Sequence, residues 1–231
     1  MESREWEDKG GYWLNGSPQG SEAWLALRKN LLTGSNVGSA LGHSRFSGPL
    51  EVALDVAGVE AKVFSQESQR VMAQGTQREP LAREKYMRMK DVHVEEVGLA
   101  IPKWEPRLGS SLDGDVIGTE GVIEIKSPDK GIYRPLLEYE RMVAKGWSPP
   151  PGYHQHIWDS HYDQMQVGMK VAGKTWCDYV VYSAQEERIF VDRVPLNDKY
   201  WETVLEPGIK NFLENILEPL IYAKEKEWKI E

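Results

Sequence analysis

The chain has 231 residues, of which 40% are hydrophobic and 28% are charged, and its formal net charge is −8. This composition is typical of a globular protein, and we expect a single domain over residues 1–231. No run of about 18 apolar residues exists, which excludes a membrane helix. The first residues lack the basic start and apolar stretch of a secretory signal, so we expect a cytoplasmic protein that is not secreted. A single cysteine, Cys177, excludes an internal disulfide and a cysteine-ligated metal site.

The first part of the sequence predicts helices, because apolar residues recur there near a helical period. Four helices are expected: residues 21–32, a short helix ending at residue 41, residues 49–57 and residues 67–90. The first three form N-terminal helices at about residues 20–60. Ser35 or Asn36 can cap the second helix, which places Ser35 at a helix N-terminus. Gly75 and Pro80 should kink the fourth helix or divide it in two.

From Val92 onward, short strands precede further helices. Strands are expected at residues 108–112, 115–117, 122–126, 176–183 and 188–194, with a hairpin turn at 118–121. Helices are expected within residues 133–159, over 159–171 and in a tail at about 197–227, where Pro207 and Pro219 should divide the helix. This order predicts an α/β or α+β fold, and we expect α/β with a central mixed β-sheet flanked by helices.

The acidic net charge argues against a protein that coats nucleic acid with a broad positive face. A local basic channel remains compatible with it. Two groups of basic residues could line such a channel: Arg28, Lys29 and Arg45, then Arg70, Arg78, Arg83, Lys85, Arg88 and Lys90. The alternative interpretation places about half of them on solvated helix faces.

The segment VIEIK, residues 122–126, carries the strongest chemical signal. Alternation along a strand puts Glu124 and Lys126 on one face and Ile123 and Ile125 on the other. A carboxylate and an ammonium on a buried face cost several kcal/mol each unless they are paired or metal-bound. Asp113, at the end of the preceding strand, can supply a second carboxylate. These carboxylates, with the Ile125 backbone carbonyl, give the oxygen ligands that Mg²⁺ prefers.

Lys126 lies where its ammonium could stabilise developing charge on a phosphate, or orient and deprotonate a metal-bound water. This constellation suits hydrolysis of a phosphodiester. The alternative is a surface hairpin in which Glu124 and Lys126 form a solvated pair.

Five short motifs in a fixed order extend the signal over about residues 20–170. They are GSEAWLALRKNLLTGS, QGTQREPLAREKY, SSLDGD, IEIK and HYDQMQVGM. Together they resemble the PD-(D/E)XK nuclease superfamily and, within it, the lambda-type phage exonucleases, also called YqaJ-like viral recombinase nucleases. The resemblance implies a restriction-endonuclease-like core.

The resemblance also implies a role for individual residues. It implies a metal site formed by Asp113, Glu124, the Ile125 carbonyl and Glu79. Catalysis would use the same two carboxylates with Lys126 and Gln164. The 5′-phosphate and the DNA would be bound by Arg28, Ser35, Ser111, Arg45 and Gln166. Physically, an Arg fork near helix N–H groups is a suitable anion site.

The function that the resemblance implies is digestion of the 5′-ended strand of linear double-stranded DNA, which leaves 3′ overhangs for recombination. It further implies Mg²⁺ as the cofactor, with Mn²⁺ as a substitute and two ions in each site. The expected partners are DNA ends, further copies of the chain in a ring-shaped homotrimer, and a single-strand annealing protein. The alternatives are a PD-(D/E)XK endonuclease, which needs no 5′-phosphate site, and a non-catalytic module that binds DNA ends.

The sequence departs from the family pattern in two places. The family often has a tyrosine three residues before the first glutamine of the last motif, whereas His161 stands there and Tyr162 follows. The proline-rich stretch 133–157 is longer than usual, so no contacts are carried over to it. A transition-metal site formed by His154, His156 and His161 is disfavoured, because no carboxylate or cysteine accompanies them.

Overall fold

The computed structural model describes residues 6–61, 63–128 and 130–226, so both ends of the expected domain lie outside the described residues. Its strands are β1 (Trp6–Asp8), β2 (Tyr12–Asn15), β3 (Leu32–Thr33), β4 (Val94–Glu95), β5 (Leu99–Pro102), β6 (Leu108–Gly109), β7 (Gly114–Val116), β8 (Gly121–Lys126), β9 (Trp176–Ser183) and β10 (Arg188–Pro195). Its helices are α1 (Glu22–Leu27), α2 (Gly34–Ala40), α3 (Pro49–Val56), α4 (Gln66–Lys90), α5 (Arg134–Ala144), α6 (Asp159–Ala172), α7 (Asp198–Tyr200), α8 (Glu206–Phe212) and α9 (Glu218–Glu225).

Five strands form the central sheet, in the order β10-β9-β8-β7-β4. Strands β8 and β9 run parallel, whereas the other neighbours pair antiparallel. The predicted hairpin joins β7 to β8. A second sheet has the order β1-β2-β5, and β3 pairs with β6. The central sheet is therefore mixed and flanked by helices, which confirms the expected fold class.

Helices cover both faces of the central sheet. On one face, Ala82 and Tyr86 of α4 pack against Ile123 and Ile125 of β8. On the opposite face, Val122 packs in a cluster with residues of α5 and α6. A further apolar cluster joins α2, α3 and α6 to the C-terminal helices. Because side chains alternate along β8, Glu124 and Lys126 share the α6 face, as the sequence predicts.

The first helix is shorter than expected. It ends at Leu27 with Arg28 as its C-cap, and Asn30 then adopts a left-handed conformation with φ of 63°. This reversal lets β3 pair in parallel with β6. The next helix begins directly afterwards, with Thr33 as its N-cap in place of the expected Ser35 or Asn36. Ser35 still lies in the first turn of α2.

Prolines interrupt the helices less than the sequence suggests. Helix α4 is continuous across Gly75 and Pro80, so the expected division into two helices is wrong. In the tail, π-helical turns at Trp201–Leu205 and Leu213–Leu217 connect α7, α8 and α9 into one helical segment. Pro207 and Pro219 each follow such a turn and do not break the segment. Residue 227, the expected end of this tail, lies outside the described residues.

The N-terminal hairpin of β1 and β2 has no counterpart in the sequence-based expectations. In the described part of the chain, no helix combines the length and the apolar character that crossing a membrane requires.

Candidate active site

Asp113 and Glu124 bring two carboxylates together at one end of β8. Asp113 precedes β7, and its Oδ2 accepts a hydrogen bond from the Ile125 N–H at 2.6 Å. In an extended strand the N–H and C=O of one residue point to the same side, so the Ile125 carbonyl also points toward Asp113. Glu124 is buried, with 1% exposure. Two carboxylates, close enough for the charge of Glu124 to raise the pKa of Asp113, and a backbone carbonyl therefore lie near the same end of β8.

Lys126 links this point to α6. Its Nζ donates to Glu124 Oε1 at 2.7 Å and to Gln164 Oε1 at 2.9 Å. Within the residues that the structure describes, three buried side-chain atoms lack a hydrogen-bond partner: Glu124 Oε2, Ser127 Oγ and His156 Nδ1. An unpartnered carboxylate oxygen inside a protein is costly, and a bound cation would satisfy Glu124 Oε2.

The pKa values of Asp113, Glu124 and Lys126 are all raised. Burial raises the pKa of Asp113 above its usual range, and the negative charge of Glu124 adds to the effect. Burial likewise raises the pKa of Glu124, although Lys126 opposes it. Burial alone would lower the pKa of Lys126, but Glu124 and Asp113 raise it above its ordinary value. A divalent cation beside the carboxylates would lower their pKa values, because a nearby positive charge favours the ionised form.

Glu79 lies near this pair but is turned toward a different partner. Burial raises the pKa of Glu79 to about 7, and repulsion from Asp113 contributes. Its Oε1 accepts a hydrogen bond from Arg83 Nη2 at 2.7 Å. Among residues 6–61, 63–128 and 130–226, no three His, Cys, Asp or Glu side chains converge as a metal cluster. Two carboxylates and a carbonyl thus offer donors to a cation, and Glu79, which lies close enough to sense the charge of Asp113, stays a predicted member of the site.

Arg28 forms a second polar group at the start of α2. Its Nη2 donates to Thr33 Oγ1 and to Ser35 Oγ, both at 3.2 Å. The guanidinium lies 4.1 Å from the ring centroid of Trp24, whose indole N–H donates to Ser111 Oγ at 3.0 Å. Burial lowers the pKa of Arg28 to about 10, so the side chain stays charged at neutral pH. Ser111 thus supports Arg28 through Trp24.

One cleft of about 910 Å³ joins the two groups. Arg28, Thr33 and Ser35 line one part of it, and Lys126 and Gln164 line another. The close approach of α2 to α6 produces this arrangement. At Gly38, an added Cβ would lie 2.7 Å from the Ser160 backbone, so only glycine allows this spacing.

Two expected DNA-binding residues lie elsewhere. Gln166 is fully buried, and its amide bonds the Pro195 carbonyl and the Asn197 N–H. The expectation that it faces the site with Gln164 is wrong, because residues two apart on a helix point in different directions. Arg45 lines a separate cavity of about 170 Å³ and lies 5.8 Å from the Trp158 ring centroid.

The basic residues expected along α4 are mostly engaged locally. Arg70 and Arg88 pair with glutamates on their own helix, and Lys85 donates to the Glu187 carbonyl. Arg83 lies behind the carboxylates, where its Nε also donates to the Asp113 carbonyl at 3.1 Å. That this group lines a channel for DNA stays a prediction.

His161 is the residue that the motif comparison left open. It lines the cleft, and its Nδ1 lies 2.7 Å from the Tyr179 hydroxyl. Burial, together with the charge of Lys126, lowers the pKa of His161 well below its ordinary value, so the ring is neutral at pH 7. Tyr162 is buried and its hydroxyl accepts from Asn197. His161, and not Tyr162, therefore occupies the cleft position. The three histidines of residues 154–161 have separate partners.

A mixed sheet between helices, with Asp113 before one strand and Glu124 and Lys126 on the next, is the architecture of a PD-(D/E)XK nuclease. The sequence model of the YqaJ-like viral recombinase domain family matches residues 23–175, which is more than half of the chain. The chain belongs to this family, the lambda-type phage exonucleases.

Solved structures agree with this assignment. The alkaline exonuclease LHK-Exo from Laribacter hongkongensis superposes with a TM-score of 0.67 at 25% identity, covering 90% of this chain and 98% of that one. The structure of LHK-Exo in complex with dAMP superposes with a TM-score of 0.66 at 26% identity, and it too covers 90% of this chain and 98% of that one. A phage-related exonuclease from Haemophilus somnus, at 11% identity and a TM-score of 0.59, covers 85% of this chain and 96% of its own and supports the fold alone. Among curated protein sequences, none matches this chain.

Proposed function

We propose that this protein is a Mg²⁺-dependent exonuclease that degrades the 5′-ended strand of linear double-stranded DNA and leaves 3′ overhangs. The observation that carries the proposal is the single cleft lined by both Arg28 with Ser35 and Lys126 with Gln164. A cationic group that grips a terminal phosphate, next to a hydrolytic centre, suits an enzyme that starts from a DNA end. The dAMP bound to LHK-Exo, a nucleoside monophosphate, supports exonucleolytic cleavage.

The donor set fits the cation. Asp113, Glu124 and the Ile125 carbonyl would hold Mg²⁺, with Mn²⁺ as a substitute and a second ion beside the first. Hard oxygen donors suit these ions, and Glu124 Oε2 has no hydrogen-bond partner to displace. When bound, such an ion supplies Lewis-acid activation of water and phosphate.

Lys126 has an electrostatic role in this proposal. Glu124 and Gln164 hold its ammonium in place, and its raised pKa keeps it charged at neutral pH. A fixed positive charge stabilises negative charge that develops on the scissile phosphate. Gln164 positions the ammonium.

Selection of the DNA end falls to Arg28 and Ser35. A charged guanidinium and a hydroxyl in the first turn of α2 bind a terminal phosphate through charge-assisted hydrogen bonds. An endonuclease would not need this group. A non-catalytic module would not need a charged Lys126 bonded to the buried Glu124.

The test compares digestion of linear duplexes that carry either 5′-phosphate or 5′-hydroxyl, with Mg²⁺ or chelator, by wild type and Glu124→Ala. Activity is expected only with Mg²⁺ and wild type, with faster cleavage of the phosphorylated end. Activity in chelator or in Glu124→Ala would refute the metal mechanism. Equal cleavage of closed circular DNA would assign the protein to the endonucleases. Arg28→Ala should lose the end preference, whereas Lys29→Ala, which removes a neighbouring charge in the same cleft, should keep it.

A ring-shaped homotrimer and a single-strand annealing protein complete the proposal, on the family resemblance. A ring around the duplex would explain how an acidic chain stays on DNA, because its charge can be sorted between inner and outer surfaces.

A further inference from the structure

The guanidinium of Arg83 joins three separate parts of the chain beside the carboxylates. Its Nε donates to the Asp113 carbonyl at 3.1 Å, and its Nη2 donates to Glu79 Oε1 at 2.7 Å. A longer contact of 3.4 Å runs from Nη1 to Glu96 Oε2. The Arg83 side chain is 12% exposed, whereas that of Glu96 is 42% exposed. The contacts with Asp113 and Glu79 are therefore the shielded ones.

Asp113 is held from two directions. Arg83 binds its backbone carbonyl, and the Ile125 N–H binds one carboxylate oxygen. These two bonds fix the backbone and the side chain together, so the direction of the second carboxylate oxygen is also fixed. Removal of Arg83 would leave the Asp113 backbone carbonyl without this hydrogen bond.

Glu79 depends on the same guanidinium. It lies one helical turn before Arg83 on α4, a helix that buries only Ala82 and Tyr86 among its described residues. Its Oε1 accepts a hydrogen bond from Arg83 Nη2, so Arg83 orients the Glu79 carboxylate. Without Arg83, the Glu79 side chain would lose this bond.

We propose that Arg83 is a positioning residue that sets the affinity of the centre for divalent cations. The inference rests on the proposed metal dependence and assigns a residue that itself touches neither cation nor DNA. A planar guanidinium can bridge a carboxylate and a carbonyl in a fixed geometry, which a lysine ammonium cannot. Removing groups that orient metal ligands typically weakens metal binding by about 10–100-fold.

The experiment is a calorimetric titration of the full chain with Mn²⁺, for wild type, Arg83→Gln and Tyr86→Phe. Tyr86 is the matched control, because its hydroxyl anchors the same helix to Asp178 at 2.7 Å without touching the carboxylate centre. Arg83→Gln should weaken Mn²⁺ binding by about 10–100-fold. Tyr86→Phe should bind as wild type does. In the double variant with Glu79→Gln, the two losses should add incompletely, because Arg83 acts partly through Glu79.

Wild-type affinity in Arg83→Gln overturns the proposal. An equal loss in Tyr86→Phe also overturns it, because loosening of α4 would then explain both. If Arg83→Gln does not fold, Arg83→Lys replaces it, since lysine keeps the charge but cannot span both acceptors. Wild-type affinity in Arg83→Lys would then be the contradicting result. A wild-type chain that binds no Mn²⁺ refutes the metal dependence itself, and the proposal falls with it.

Discussion

Gln164 and Gln166 carry the same side chain on the same helix but have different surroundings. Gln164 Oε1 accepts from Lys126, whereas the Gln166 amide bonds two backbone groups in the interior. Gln164→Ala should therefore lower kcat by about 10–100-fold with little change in stability. Gln166→Ala should keep kcat and lose about 1–3 kcal/mol of stability, because buried backbone groups lose their partners. Steady-state kinetics and thermal unfolding of both variants check this. A loss of kcat in Gln166→Ala at unchanged stability would contradict it.

The carboxylates make stability depend on pH. Their pKa values are raised in the folded chain, to about 7 for Glu79, so the folded state binds more protons than the unfolded state above their ordinary values. In chelator, stability should fall as the pH rises from about 5 to about 8, through the raised pKa values of Glu79 and Asp113. Mg²⁺ binds the deprotonated groups, so the stabilisation that it adds should grow over the same range.

Thermal melts in chelator and in Mg²⁺ measure both effects, and Glu79→Gln is the control that should flatten the slope in chelator. Stability in chelator that rises through this range would contradict the raised pKa values.

Among the site residues, the sequence is most informative where the regular alternation of a strand determines which way a side chain points. Glu124 and Lys126 share one face of β8 because strands alternate, and this prediction is confirmed. In the helix around Gln164, the sequence does not show which side chains face the site. Nearly all of α6 from Tyr162 onward is buried, and both of its faces are packed. Arg83 illustrates the same limit. A charged residue on a polar helix suggests a solvated face, and only the tertiary contacts reveal its buried partners.

At the level of elements, the spacing of α2 and α6 determines the width of the cleft. The helices approach closely at Gly38, where a Cβ would lie 2.7 Å from the Ser160 backbone. Gly38→Ala should therefore destabilise the fold by about 1–3 kcal/mol and shift Ser35, which reduces the preference for 5′-phosphate. Gly75→Ala on α4 is the control, because nothing lies within 4 Å of its added Cβ. That variant should be neutral or gain about 0.5–1 kcal/mol.

End-preference assays and thermal unfolding of the Gly38 and Gly75 variants provide the measurement. Equal stability and equal end preference in Gly38→Ala and wild type would show that the contact at Gly38 does not determine the width of the cleft.

The elements that sequence patterns predict poorly are those decided by distant contacts. The left-handed Asn30 ends α1 early because the following residues pair with β6, about 75 residues further along the chain. Pro207 and Pro219 stay within a helical segment because π-helical turns precede them, and this segment packs on the apolar cluster with α2 and α3. Propensity alone predicts a break at such prolines, and packing overrides it.

At the level of the whole molecule, the net charge of −8 opposes DNA binding at long range. Of the residues that line the cleft, Arg28, Lys29 and Lys126 are cationic and Asp55 is acidic, and Lys126 is already paired with Glu124. For each phosphate that a protein neutralises, a tenfold rise in salt concentration lowers the binding constant for duplex DNA by about 0.9 logarithmic units. With so few free cations, one chain should bind an end weakly and with a shallow salt dependence.

Long stretches of DNA can then be degraded in one encounter only if something besides charge retains the enzyme. The proposed ring of subunits would provide that retention, because dissociation from the middle of a duplex would require the ring to open. We therefore expect light scattering to give three times the chain mass of 26.4 kDa at concentrations where the enzyme is active. Dilution below the point of assembly should shorten the tracts degraded per encounter before it abolishes cleavage at the end. A monomer that degrades long tracts would contradict the ring and leave the hydrolytic centre as proposed.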